Sequence, residues 1–448
     1  MLVVDVVKRA LRIAVLLVLG NYVILFGSVF SLPLAGNLAV LAAALVFFVW
    51  FNVRPRRMPG VSGRIQSMMG GCELLLCTGW TVLLETALYV WALVSKALPG
   101  ALLLLDLLIL LPMIAILLLN GFFRVLVTCN RLRLVWRVLL LLCWWVPILD
   151  LFLIGKALRL AKAEYRFALA RQTLEQVHEE NQDCLTKYPI VMVHGIFFRD
   201  WQHINYWGRI PQALKKCGAV IYYGAQQSSA PVAESAAELK AHVEQVLSET
   251  GAEKVNLIAH SKGGLDSRYA ISRLGLAPWV ASLTTINTPH RGCIFAQEVL
   301  KKLPNGLVRW LEARYNGLFH ALGDATPDFL GGVRDLTHDA CARFNEETPD
   351  MPGILYQSVT STMKSPKSAG FPLDITWKLV NKYDKEPNDG LVAESSARWG
   401  TCLQTLTVPG RRGISHGDVI DLMREDINGF DVREFYTGLV KGLKEKGL

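Results

Sequence analysis

Between Ala101 and Leu119 the only ionisable side chain is Asp106, and the run is apolar on every face a helix would present. A helix with no polar face belongs inside a large core or in lipid, where its backbone groups are satisfied internally. Comparable apolar runs lie at about 11–30, 34–51, 73–95 and 134–155, with 100–123 enclosing the stretch just described. Each approaches the roughly 20 residues that cross a bilayer. Residues 1–155 are therefore expected to form an all-α transmembrane region of four or five spans. A removable leader accounts poorly for the first run, because more apolar runs follow it instead of a cleavage site and a soluble chain.

Charge supports this division. Residues 1–180 carry 17 Lys and Arg against 9 Asp and Glu, out of 47 and 38 in the whole chain, so the excess positive charge sits almost wholly in the apolar part. Such charge orients membrane helices, and no aromatic-and-basic module argues for a nucleic-acid partner. Lys8, Arg9 and Arg12 precede the first run, Arg54, Arg56, Arg57 and Arg64 follow the second, and Arg124, Arg131, Arg133 and Arg137 follow the fourth. All three groups are expected on the cytoplasmic side. The remainder depends on the fifth run: if it crosses, the following basic segment from Lys156 to Arg171 is outside; if Pro147 and Asp150 make it re-entrant, everything beyond is inside. Cys184, Cys217, Cys293, Cys341 and Cys402, an odd set without C-x-x-C spacing, favour the reducing, cytoplasmic side. Residues 156–185 are expected to form an amphipathic connector helix with its basic start at the headgroups. Asp106 and Asp150 are the intramembrane carboxylates that a polar pathway would use.

From Tyr188 the pattern changes to short apolar strands alternating with amphipathic helices. Strands are expected at Pro189–Val193, Ala219–Tyr223, Lys254–Ile258, Ala281–Ile286 and Leu403–Val408, with a helix over Val232–Ser248 stopped by Gly251. Alternation of this kind implies βαβ units and a largely parallel sheet with helices on both faces, over residues 186–448. The third strand runs into Ala259-His260-Ser261-Lys262-Gly263-Gly264 and then a helical stretch. This is a strand-to-helix turn of the nucleophile-elbow kind, with Ala in place of its first Gly. Small residues two before and two after Ser261 let the turn close, and the helix N-terminus favours developing negative charge there. Donors for that charge are expected from the N–H of Lys262 and of Ile196, in the His194-Gly195-Ile196-Phe197 loop after the first strand.

A base and its orienting acid should follow the serine. Of His290, His320, His338 and His416, the last lies in a Gly-flanked loop near the C-terminus and is the expected base. Asp389, in Asn388-Asp389-Gly390-Leu391-Val392, is the expected acid, with Asp384 as its neighbouring competitor. His290, straight after the fourth strand, suits a structural or pocket-edge place.

These stretches resemble the bacterial triacylglycerol lipases of the Pseudomonas and Burkholderia type, within the α/β-hydrolase superfamily, and more distantly the staphylococcal and Bacillus-type lipases. The likeness covers about 188–300 and 385–440 and rests on PIVMVHGI, YWGRIPQALKKCGAVIYY, KVNLIAHSKGG, TTINTPHRG and NDGLV. It implies Ser261, Asp389 and His416 as triad and Ile196 and Lys262 as oxyanion donors. It also implies a calcium ion near the catalytic histidine, for which Asp418 stands at one ligand position; Leu422 falls where another ligand would be an amide, and no acid stands about twenty residues before Asp389. The resemblance suggests a helical lid, here within 294–345, where Val299, Leu303, Leu307 and Leu311 form an apolar stripe. It does not reach the membrane part, so secretion and a dedicated folding partner are not carried over.

The sequence thus leads to a membrane-anchored serine esterase or lipase of the bacterial inner membrane, acting on acyl lipids or other lipophilic esters and needing no organic or redox cofactor. A membrane scaffold on an inactive hydrolase fold, or a transporter with an accessory hydrolase, are the readings from other classes.

Overall fold

A computed structural model describes residues 2–448 apart from 27–32, 57–60, 97, 133, 144–145, 197–205, 228, 303 and 322–326. The chain divides into two compact units, Met1–Leu174 and Glu175–Leu448.

The first unit is helical. Three of its helices, Leu34–Val53, Gly63–Ser95 and Gly100–Thr128, are long and apolar enough to cross a membrane by length and composition. The other two apolar runs behave differently. The first begins in the helix Leu2–Gly20, which carries Asp5, Lys8, Arg9 and Arg12, and continues through the short helix Tyr22–Ile24, while its last residues, 27–30, lie outside the described residues. The fifth divides between a short helix Leu134–Leu142 and the helix Pro147–Glu180, since proline suits a helix start and not its interior. Arg57 and Arg133 of the expected basic loops also lie outside the described residues.

Two carboxylates inside this unit, Glu73 and Asp106, have partners. Glu73, 2% exposed, receives the guanidinium of Arg9 at 2.7 Å and that of Arg12 at 2.9 Å. Asp106 accepts from the Tyr89 hydroxyl at 3.0 Å and the Val23 N–H at 3.2 Å. The helices Gly63–Ser95 and Gly100–Thr128 approach closely where Gly71 faces Gly121: a β-carbon on Gly71 would stand 2.8 Å from Arg124 Cβ and from the Gly121 carbonyl oxygen. Small residues permit such contact between apolar helices.

The second unit is built on six parallel strands in the order β2-β1-β3-β4-β5-β6: β1 Ile190–Val193, β2 Ile221–Tyr223, β3 Val255–His260, β4 Val280–Ile286, β5 Leu355–Ser361 and β6 Thr401–Leu406. Side chains alternate along each strand, so both faces are apolar. Ile190, Met192, Ile258, Ile286 and Val359 pack on one face with Leu214 of the helix Ile210–Lys216 and Tyr436, Val440 and Leu443 of the helix Val432–Glu445. Val191, Val193, Leu257, Ala259 and Leu283 pack on the other with Leu239 and Val243 of Val232–Thr250 and Ile271 of Lys262–Arg273. Each buried Leu, Ile or Val side chain contributes about 1.5–3 kcal/mol, so the sheet is held from both sides. The parallel sheet between two helical layers is the arrangement expected from the alternating pattern.

β6, Thr401–Leu406, begins and ends two residues before the expected Leu403–Val408, β2 begins at Ile221 instead of Ala219, and two further strands depart in ways that bear on the site. β3 continues through Ala259 to His260, carrying the sheet up to Ser261. β5 is rich in polar residues, and Gln357, Ser358, Thr360 and Ser361 are buried because the sheet surrounds them: Gln357 Nε2 donates to Thr284 Oγ1 at 2.7 Å and Thr360 to Thr405 at 2.9 Å.

In the helical unit, Gly71→Leu is expected to lower stability by about 1–3 kcal/mol through overpacking. Gly79→Leu, whose β-carbon would meet nothing within 4 Å, is the matched control. Thermal melting of the protein in detergent separates them, and equal midpoints would refute the close approach.

Candidate active site

At the end of β3 the backbone turns through Ser261, with φ +54° and ψ −130°, into the helix Lys262–Arg273. A non-glycine residue held there costs on the order of 1–3 kcal/mol, and the surroundings must enforce it. They do so by proximity. A β-carbon on Gly263 would lie 2.4 Å from the His194 carbonyl oxygen, and one on Gly264 would lie 2.2 Å from Thr288 Oγ1. Ser261 N–H donates to the Ile286 carbonyl at 3.0 Å, tying the turn to the end of β4. Ala259, two residues before the serine, is fully buried beside Val193.

β1 delivers His194, Gly195 and Ile196 to the same place. A β-carbon on Gly195 would approach Ser261 Cβ to 2.8 Å, so this loop lies directly against the serine. His194 Nε2 meets the Gln226 carbonyl at 2.9 Å, and Gln226 Nε2 returns a bond to the His194 carbonyl at 3.0 Å. Gly195 N–H donates to the Tyr206 hydroxyl at 3.0 Å, which in turn meets His260 Nδ1 at 2.6 Å. The loop is thus braced on both sides, and the N–H of Ile196 is spent on no other hydrogen bond among the described residues. Phe197 lies outside the described residues.

The Lys262 side chain turns inward, its ammonium 2.8 Å from Asp266 Oδ1 and 2.8 Å from Ser235 Oγ. Burial pushes the Asp266 carboxyl up, against the opposing pull of Lys262. What Lys262 offers at the serine is its backbone N–H, at the first turn of the helix, where no intrahelical acceptor exists.

Asp389 and His416 meet across 2.6 Å, between Asp389 Oδ2 and His416 Nδ1. The other carboxylate oxygen accepts from Leu391 N–H at 2.8 Å and Val392 N–H at 2.7 Å, and His416 N–H donates to the Asp389 carbonyl at 2.8 Å. Because the carboxylate only accepts, the proton of the pair sits on Nδ1 and Nε2 is left to act as a base. The His416 ring centroid is 4.4 Å from that of His260, the residue before Ser261. Burial holds His260 well below the usual histidine range, with His416 adding to the effect.

The competing residues lie elsewhere. Asp384 accepts from the backbone of Ile294 and Phe295. His290 is buried, 3.0 Å from Thr285 Oγ1 and stacked on Trp399 at 5.1 Å, which makes it structural. His338 contacts the Arg291 carbonyl at 2.9 Å, and His320 is exposed on the helix Asn305–Ala321. The expected lid stretch forms the helices Ile294–Lys302 and Asn305–Ala321; Leu303 and the side chains of Leu307 and Leu311 lie outside the described residues. Sequence reasoning passed over Tyr206, Gln226 and Asp266, whose partners are distant in the chain or on an opposite element. Only Asp266, four residues from Lys262 on one helix face, left a readable spacing.

Asp418 was the candidate calcium ligand, and its surroundings do not fit that ion. Oδ1 accepts from the Arg412 guanidinium at 3.1 Å and Oδ2 from the Ser415 N–H at 2.9 Å. Leu422, where an oxygen ligand would be needed, is an exposed hydrocarbon. A calcium site takes six to eight oxygens, and a guanidinium on one of them opposes a second cation.

Residues 188–387 match the family of the α/β hydrolase fold. The chain is similar to a triacylglycerol lipase of Vibrio cholerae, 36% identical over 245 residues that make up 49% of this chain and 76% of that protein. It is 40% identical over 178 residues to triacylglycerol lipases of Pseudarthrobacter phenanthrenivorans and Burkholderia plantarii, covering 37% of this chain and 54% and 49% of theirs. It therefore spans about half the length of these last two relatives. Among solved structures, the mature Bacillus licheniformis lipase BlEst2 aligns with 57% of this chain and 92% of its own, at 23% identity and a TM-score of 0.43.

Gly263→Ala tests the packing of the turn. Its β-carbon would press on backbone oxygens of His194 and Val193, so the expected loss is about 2 kcal/mol or more. A melting midpoint equal to that of the unaltered protein would contradict this.

Proposed function

Because the chain belongs to the bacterial triacylglycerol lipase family of α/β hydrolases, we propose that it is a membrane-anchored serine esterase or lipase that hydrolyses acyl lipids or other lipophilic esters through an acyl-enzyme on Ser261. The observation that carries this reading is the Asp389–His416 pair, whose imidazole lies 4.4 Å, ring to ring, from His260, the residue before Ser261.

The reaction follows from the roles these positions suit. His416 Nε2 takes the Ser261 proton as Oγ attacks the ester carbonyl, and Asp389 holds the imidazole in the tautomer this requires. The N–H groups of Ile196 and Lys262 bind the oxyanion. Collapse of the tetrahedral intermediate expels the alcohol, which receives its proton from His416. Water, deprotonated by His416, then attacks the acyl-enzyme and releases the acid. No organic or redox cofactor takes part, and nucleic acid is not a partner.

The three apolar helices support anchoring in a bilayer, here the bacterial inner membrane, with the catalytic unit on the cytoplasmic side. A membrane-bound site is supplied with lipophilic esters by the bilayer itself.

In detergent, the purified protein is expected to bind a fluorophosphonate serine probe and to cleave short and long p-nitrophenyl esters. Ser261→Ala should abolish labelling and lower turnover by at least about 10⁴-fold, and Asp389→Asn should lower kcat by about 10³–10⁴-fold with labelling slowed. No labelling of the unaltered protein would instead leave a membrane scaffold on a hydrolase fold.

A further inference from the structure

The loop that carries His416 is closed by charge. After β6 the backbone is pinned to the segment following β5: Lys364 N–H donates to the Arg412 carbonyl at 3.1 Å and Ile414 N–H to the Thr362 carbonyl at 2.8 Å. Gly413 makes this contact possible, since at φ +73° a β-carbon would lie 2.3 Å from the Thr362 oxygen. Beyond His416 the chain makes an excursion rich in acids, with Asp418, Asp421, Glu425, Asp426 and Asp431 before the final helix.

Arginines gather these acids. Arg412 bridges two of them, reaching Asp418 Oδ1 at 3.1 Å and Glu425 at 2.9 Å. Arg209 holds Asp421 at 2.7 Å and Asp426 at 2.9 Å. The first clamp touches the base most directly. Asp418 Oδ2 accepts from Ser415 N–H at 2.9 Å, and Ser415 Oγ accepts from Asp418 N–H at 3.2 Å. These reciprocal bonds enclose His416 and Gly417, and Arg412 fixes the carboxylate on which they depend.

We propose that Arg412 is a positioning residue for His416, its guanidinium supplying the fixed positive charge that would otherwise come from a loop-bound divalent cation, so that hydrolysis proceeds without calcium. This rests on the hydrolase reading above. A planar guanidinium can join two carboxylates at once, and it is always charged. It cannot be removed by a chelator.

The test uses the full-length protein in detergent with p-nitrophenyl butyrate, treated with EGTA or with calcium chloride. The expected result is a kcat changed less than about twofold by either treatment and a melting midpoint unmoved. Arg412→Gln should lower kcat about 10- to 100-fold, as misplacement of a catalytic group does, with KM within about twofold and melting little changed. Arg412→Lys, keeping the charge without the fork, should recover part of the loss. The proposal is overturned if EGTA abolishes turnover and calcium restores it, if calcium raises the melting midpoint of the unaltered protein by several degrees, or if Arg412→Gln keeps full kcat. Should Arg412→Gln fail to fold, the calcium titration of the unaltered protein decides by the same criteria. Failure of the hydrolase reading shows itself separately, as absent probe labelling, while the midpoint with and without calcium still judges the claim about the loop cation.

Discussion

The second unit depends on one close approach, that of the first turn of the helix Lys262–Arg273 to the end of β1. The carbonyls of Val193 and His194 occupy the space a side chain at position 263 would need, beside the positive φ of Ser261. The same approach brings Gly195 against Ser261, so that the strained turn and the loop with the candidate oxyanion donor are two sides of one contact. The sheet makes this affordable. Apolar residues covered on both faces give the β1–β3 pair a stable frame, and the local strain is small beside that burial.

How much of this the sequence carries depends on the range of the interaction. The turn at Ser261 is local: a buried strand, small residues at 259, 263 and 264, and a helical stretch, all within about fifteen positions. Asp389 and His416 were picked out by chain order and by their turn-forming neighbours, and the structure brings them together. β5 was missed because its polar residues are buried by neighbouring strands, which no periodicity along the chain reveals. Tyr206, Gln226, Arg209 and Arg412 were missed for a related reason, since each acts on a partner that only the fold makes adjacent. Calcium was implied through Asp418 by its place two residues after a histidine. What that spacing could not convey was a guanidinium already on the carboxylate.

The helical unit shows the same limit. Hydropathy alone did not show that the first apolar run begins within the charged helix Leu2–Gly20, or that Pro147 begins a helix. Nor could it reveal that Glu73 sits between Arg9 and Arg12, because the attraction joins helices some sixty residues apart. A buried carboxylate is tolerated there because its counter-charges arrive with the fold.

The contact between His260 and His416 has a consequence for charge during turnover. The base must become an imidazolium in each half of the proposed reaction, and a second cationic ring 4.4 Å away would oppose it. Burial keeps His260 uncharged, so the growing positive charge on His416 has Asp389 on one side and a neutral, polarisable ring on the other. In that proposed reaction the residue before Ser261 acts as a piece of dry, uncharged wall, and Coulomb attraction inside the site is left to run in one direction only.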